Sequence, residues 1–255
     1  MDFAEFVDFW NQPYPPFMQI VAMGGGGFSM EPENPLLDSY ILSLARASKP
    51  RVCFVPTASG DSENYCLRFY ESFSKRACVP THLPLFKRQF ADLRGFVLEQ
   101  DVIYVGGGNT ANLLAIWRAH RLDAIFRESA QAGAVLCGVS AGSICWFEAG
   151  VTDSFGPELA PLNNGLGFLA GSNCPHYDGE AQRRPTYHRL IASGFPAGYA
   201  ADDGCALHFD GGRLLRIVSS RPAARAYRVQ CVDGTVRETV LPAESLGSAD
   251  EAKRK

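Results

Sequence analysis

Residues 134–147 read AVLCGVSAGSICWF, and the fold turns on how this stretch is read. An apolar run leads into Gly138-Val139-Ser140-Ala141-Gly142, and a second apolar run follows. The first reads as a buried strand and the second as the start of a helix. Nothing between them is long enough to be a loop, so the chain must bend sharply at Ser140. Such a bend strains the backbone and needs flanking glycines, because side chains there would clash. It leaves an exposed hydroxyl beside free backbone N–H groups, with that of Ala141 able to meet an oxyanion. The alternative is a serine that only fills a packing turn. The strand before it and the helical run after it favour the exposed hydroxyl. Ser143, one turn on, reads as helix interior, and Cys137 and Cys145 read as core.

The neighbouring segments extend the pattern. Residues 18–23 (MQIVAM) read as a strand ending in four glycines. Helical spacing covers 34–47, a strand 51–56, a helix 65–75, a short strand 81–85, a strand 101–105 and a helix 110–120. This alternation predicts an α/β fold: a mostly parallel sheet with helices on both faces. Ligands of such sheets bind beyond the carboxyl ends of the strands, the edge that carries Ser140 and both glycine runs. Beyond residue 150 glycine, proline and asparagine become frequent. Residues 205–209 with 214–218, and 226–232 with 235–241 around Asp233-Gly234, read as C-terminal β-hairpins. With no repeat and no linker, residues 1–242 are expected to form one domain and 243–255 a disordered tail.

Bulk properties exclude several classes. The 255 residues are 46% hydrophobic and 20% charged, with a net charge of -3, so no basic footprint for nucleic acid exists. No run of about 18 apolar residues predicts a membrane span, and the acidic start does not resemble an export signal. A cytoplasmic protein is expected, its eight cysteines reduced. No C-x-x-C pair supports a metal or redox site, and no cofactor is implied. Oligomeric state is open, with a homodimer one possibility.

The second glycine turn, Val105-Gly106-Gly107-Gly108-Asn109-Thr110, matches neither a dinucleotide fingerprint nor a phosphate loop. A backbone donor at Gly107 or Gly108 fits better, as the other half of an oxyanion hole. Asn109 or Thr110 also suits a helix cap. A serine nucleophile needs a base, and five histidines are available. His82, His120 and His188 have structural readings. His176, in NCPHYD, and His208, in CALHF, do not. The acids Asp178, Asp202 and Asp203 lie close by in sequence. Two constellations stay open on spacing: Ser140 with His176 and Asp203, or Ser140 with Asp178 and His208.

The motifs VGGGNTANLL, GVSAGSICW, CPHYD and ADDGCAL, in this order, resemble the peptidase E and cyanophycinase family of serine peptidases. The resemblance covers roughly residues 18–220. It implies a fold like class I glutamine amidotransferases, with Ser140 as nucleophile, His176 as base and Asp203 as third member beside Asp202. It implies an oxyanion hole from Gly108 and Ala141. Relatives of the peptidase E type cleave dipeptides with N-terminal aspartate and bind its carboxylate through an arginine. That role falls on Arg184 or Arg183, with Asn109 as a further contact to the small peptide substrate. The family's other branch implies an alternative, hydrolysis of β-linked Asp-Arg material. A third reading keeps the amidotransferase-like fold as a binding module without acylation.

Overall fold

A computed structural model of the chain describes residues 18–247. Its first half contains β1 (Gln19–Met23), α1 (Gly27–Met30), α2 (Leu36–Leu44), β2 (Arg51–Val55), α3 (Glu63–Phe73), β3 (Val79–His82), α4 (Leu93–Leu98), β4 (Val102–Val105), α5 (Thr110–Ala119), α6 (Leu122–Gln131), β5 (Val135–Val139) and the one-turn α7 (Ala141–Ile144). Its second half contains β6 (Phe147–Thr152), β7 (Ala160–Leu162), β8 (Leu169–Cys174), α8 (Arg183–Ala192), β9 (Gly198–Ala201), β10 (Cys205–Asp210), β11 (Arg213–Ser219), β12 (Ala226–Val232), β13 (Thr235–Leu241) and β14 (Glu244–Ser245).

The strands form two sheets. The larger has the order β14-β11-β10-β1-β5-β4-β2-β3. Its β1, β5, β4, β2 and β3 are parallel, and β10 and β11 continue it antiparallel beside β1. Every residue of β4 and β5 is buried, as expected for parallel strands covered on both faces. Strand residues alternate between two apolar layers. Ile20, Ala22, Ile103 and Leu136 pack with Leu113, Trp117 and Phe126 from α5 and α6. Val21, Met23, Tyr104 and Cys137 pack with Leu37, Ile41, Phe69 and Phe73 from α2 and α3. In the second layer the Phe28 ring lies 5.2 to 5.6 Å from those of Phe54, Tyr65, Phe69, Phe73 and Tyr104. That cluster fixes α1 against α3, next to the carboxyl ends of the strands.

The expected parallel sheet with helices on both faces is present, and the whole is α/β. A second sheet is added, with the order β13-β12-β9-β8-β6-β7. Its strands β6, β8 and β9 pair in parallel, and β8 lies within the stretch beyond residue 150 where glycine, proline and asparagine are frequent and no strand is read from the sequence. The helix expected from Ser140 onward lasts one turn, and Phe147 already belongs to β6. Both C-terminal hairpins are as expected, β10 with β11 and β12 with β13. The second turns on Asp233 and Gly234, both at positive φ, as a tight hairpin turn requires. The expected disordered tail needs correcting at its start. Glu244 and Ser245 pair with Val218 and Ser219, and Leu246 N–H donates to Ser219 O. The rest of that tail, 248–255, and residues 1–17 of the expected domain lie outside the described residues.

Candidate active site

Ser140 sits between β5 and α7 at φ 57 and ψ -115, a conformation that only strong local constraint imposes on a residue with a side chain. The flanking glycines explain that constraint. A Cβ on Gly138 would lie 2.2 Å from Gly142 O, and one on Gly142 would lie 2.3 Å from Val105 O. The bend therefore folds back on itself and presses against β4, with no room for any other residue type.

Two further loops converge on the bend. After β8 the chain passes Pro175 and places His176 at φ 54, with its N–H donating to Gly24 O over 3.1 Å. After β9 comes Asp203, whose Oδ1 accepts from His176 Nδ1 at 2.7 Å. Asp203 N–H donates to Asp178 Oδ1 at 2.8 Å. The hydrogen bond from His176 is the main cause that holds the Asp203 carboxyl below its ordinary value, and it outweighs burial. The acceptor sets the tautomer of the neutral imidazole: Nδ1 carries the proton towards Asp203, and the lone pair lies on Nε2. Among the described residues neither Ser140 Oγ nor His176 Nε2 has a hydrogen-bond partner.

Ser140 and His176 line one cavity of about 220 Å³ with Gly107, Val139, Tyr65, Arg68, Ser29 and Met30. A Cβ on Gly107 would lie 3.8 Å from Ser140 Oγ, so the second glycine turn runs beside the hydroxyl. Gly107 N–H donates to Tyr65 Oη at 3.2 Å. Neither Gly108 N–H nor Ala141 N–H has an acceptor among the described residues. Ala141 is the first residue of its helix, where no intrahelical partner exists.

Other expected site residues lie elsewhere. Asp202 faces away from His176: its Oδ2 accepts from Arg225 N–H at 2.9 Å and from Tyr227 Oη at 3.3 Å, and burial pushes its carboxyl up. Asn109 caps α5, with Oδ1 accepting from Asn112 N–H and Nδ2 donating to Ser154 O. Arg183 is buried and donates to Glu180 and to Val151 O. Arg184 forms a fork on Glu238. None of these lines the cavity. The competing order fails on position, because His208 pairs through Nδ1 with Tyr40 Oη of α2 at 2.7 Å, also outside the cavity. Arg68, by contrast, lines the cavity. Arg68 lies one turn from Tyr65 on α3, its guanidinium 4.9 Å from that ring, with a donor to Ser29 O. No sequence signal marked Arg68, because helical spacing does not say which face meets the sheet edge.

The model of peptidase family S51 matches residues 20–217. The chain belongs to peptidase family S51. It is accordingly a peptidase of the serine class. An uncharacterized peptidase of Bacillus subtilis (strain 168), YgaJ, is 59% identical over 230 residues, 90% of this chain and 99% of the relative. Peptidase E of Pasteurella multocida (strain Pm70) is 29% identical over 179 residues, 66% of this chain and 75% of the relative. Among solved structures, a peptidase from an acI-B1 Actinobacterium shares the fold with a TM-score of 0.63 at 19% identity, covering 92% of this chain and 97% of that one. A protein assigned to peptidase E from Listeria monocytogenes EGD-e gives a TM-score of 0.59 at 16% identity, covering 79% and 98%. Among the described residues no helix is long and apolar enough to cross a membrane.

Proposed function

We propose that this S51 peptidase hydrolyses dipeptides or short peptides with an N-terminal aspartate, through an acyl-enzyme on Ser140. The observation that carries the reading is that Ser140 and His176 line one cavity while Asp203 holds the far side of the imidazole. His176 Nε2 takes the Ser140 proton as Oγ attacks the carbonyl carbon of the first residue. Negative charge then builds on the carbonyl oxygen, where the free N–H groups of Gly108 and Ala141 are the donors. Asp203 holds the imidazole and stabilises its charged form without taking the proton. The imidazolium returns the proton to the leaving amine, and the acyl–Oγ ester remains. A water deprotonated by His176 attacks the ester, and Ser140 leaves with the proton. The Ser140–His176 hydrogen bond closes when substrate fills the cavity, a tightening common in sites of this kind.

Support for an acidic first residue comes from the lining. Arg183 and Arg184 are already paired with Glu180 and Glu238. Among the described residues Arg68 holds only a carbonyl oxygen and a ring face, which leaves its fork open to a carboxylate. A cytoplasmic setting is supported by the cysteines: all eight are free thiols and six are buried. Ser140→Ala is expected to abolish Asp-Leu hydrolysis, and retained turnover would refute the mechanism. Asp-Leu against β-Asp-Arg turnover separates this reading from the β-linked alternative.

A further inference from the structure

The β12–β13 hairpin grips the active-site loops on both sides of the imidazole–carboxylate pair. We propose that it is a positioning device for that pair, acting through Glu238 and Tyr227. The inference rests on the Ser140, His176 and Asp203 reading above.

The histidine side is held first. Tyr177 follows His176 directly; its N–H donates to Ala201 O at 3.1 Å and its Oη to Glu238 Oε2 at 2.6 Å. Glu238 also accepts from Arg184 through Nη2 at 2.8 Å and Nε at 3.1 Å, and from His188 Nε2 at 2.8 Å. Burial alone would push the Glu238 carboxyl up, yet donation by Tyr177, His188 and Arg184 brings it below its ordinary value. The carboxylate is therefore the charge around which these donors are ordered.

The carboxylate side is held by the same element. The Arg184 guanidinium lies 4.8 Å from the Tyr177 ring and 4.8 Å from the Tyr227 ring, between strand and loop. Tyr227 Oη donates to Asp202 Oδ2 at 3.3 Å, one residue before Asp203. Tyr177 and Tyr227 rings meet at 5.0 Å. So the residue after the base and the residue before its orienter are both tied to one hairpin. That hairpin lies beyond the matched segment 20–217. A displacement of about 1 Å between reacting groups can cost on the order of 100-fold in rate, which gives such a clamp a catalytic consequence without contact to substrate.

The test compares full-length wild type, Glu238→Gln, Tyr177→Phe and the double variant. Three readouts are taken: Asp-Leu turnover per fluorophosphonate-titrated site, the downfield proton signal of His176 Nδ1–H, and Tm. The single variants are expected to lose about tenfold in kcat with KM within about twofold, and to broaden or lose the downfield signal. The double variant is expected to lose less than the product of the two single losses, since both remove the Tyr177–Glu238 contact. Tyr177→Phe removes only a hydroxyl, so the test stands even if Glu238→Gln does not fold. A lower Tm with kcat and signal unchanged overturns the proposal. A wild type that is neither labelled nor shows the signal overturns the Ser140 reading and the clamp together; a labelled wild type with unaffected variants overturns the clamp alone.

Discussion

His176 Nδ1 lies 2.7 Å from Asp203 Oδ1, and the two residues come from loops after different strands of the second sheet. Asp203→Asn keeps the shape of this contact but favours the wrong tautomer. It is expected to lower kcat by about 1,000- to 10,000-fold with a small effect on KM, the magnitude seen for triads of this geometry. The carboxyl is held below its ordinary value by the histidine, so its pairing stabilises the fold above the unfolded-state value of 3.8 and is lost as pH falls through the folded-state value. The Tm advantage of wild type over Asp203→Asn is therefore expected at pH 7 and should shrink below about pH 4. A constant gap would contradict the pairing.

Arg68 and Arg184 make opposite demands. If Arg68 receives the aspartate side chain, Arg68→Gln lowers the Asp-Leu to Asn-Leu ratio of kcat/KM by about 10- to 100-fold, the range of one charge-assisted hydrogen bond. Arg184→Ala slows both substrates in the same proportion, because its partner is Glu238. A ratio that follows Arg184 and ignores Arg68 would reverse this assignment.

Much of this site is legible in the linear chain because its chemistry is local. Ser140, Gly138 and Gly142 announce a bend within five residues, and the free Ala141 N–H follows from that bend. The acid is harder to read. Asp202 and Asp203 are neighbours, and only the strand pairing that turns one towards Tyr227 and the other towards His176 separates them. Arg184 carried the right chemistry at a plausible spacing, but Glu238 arrives from a hairpin about 50 residues later and neutralises it. Likewise β6 and β8 escaped notice because glycines interrupt their alternation, and their pairing comes from tertiary context.

Asp38 of α2 is fully buried against Tyr104 Oη at 3.2 Å and Arg76 Nη2 at 3.2 Å. Burial pushes its carboxyl up from 3.8 to about 6 despite the pull of Arg76, Tyr104 and the Phe28 N–H. A raised value means that stability is greatest below the unfolded value and is lost as pH rises through the folded one. Relative to Asp38→Asn, wild type is expected to lose up to about 3 kcal/mol between pH 4 and pH 7. Chemical denaturation at both pH values reads this directly, and a wild type that gains stability relative to Asp38→Asn as pH rises would have the wrong sign.

The bend at Ser140 leaves no space for a larger residue. Gly142→Ala would put a methyl 2.3 Å from the Val105 carbonyl oxygen. Tm is expected to fall by about 10 °C, and turnover to fall with it. A variant with wild-type Tm and rate would mean that the bend is looser than described.

The central claim is that Ser140 becomes acylated with His176 as its base. The most direct measurement is peptide mass spectrometry after reaction with a fluorophosphonate. One adduct is expected, on Ser140, absent in Ser140→Ala and formed at least about 100-fold more slowly in His176→Ala. An adduct on Ser143 instead, or none in the folded wild-type protein, would contradict the account.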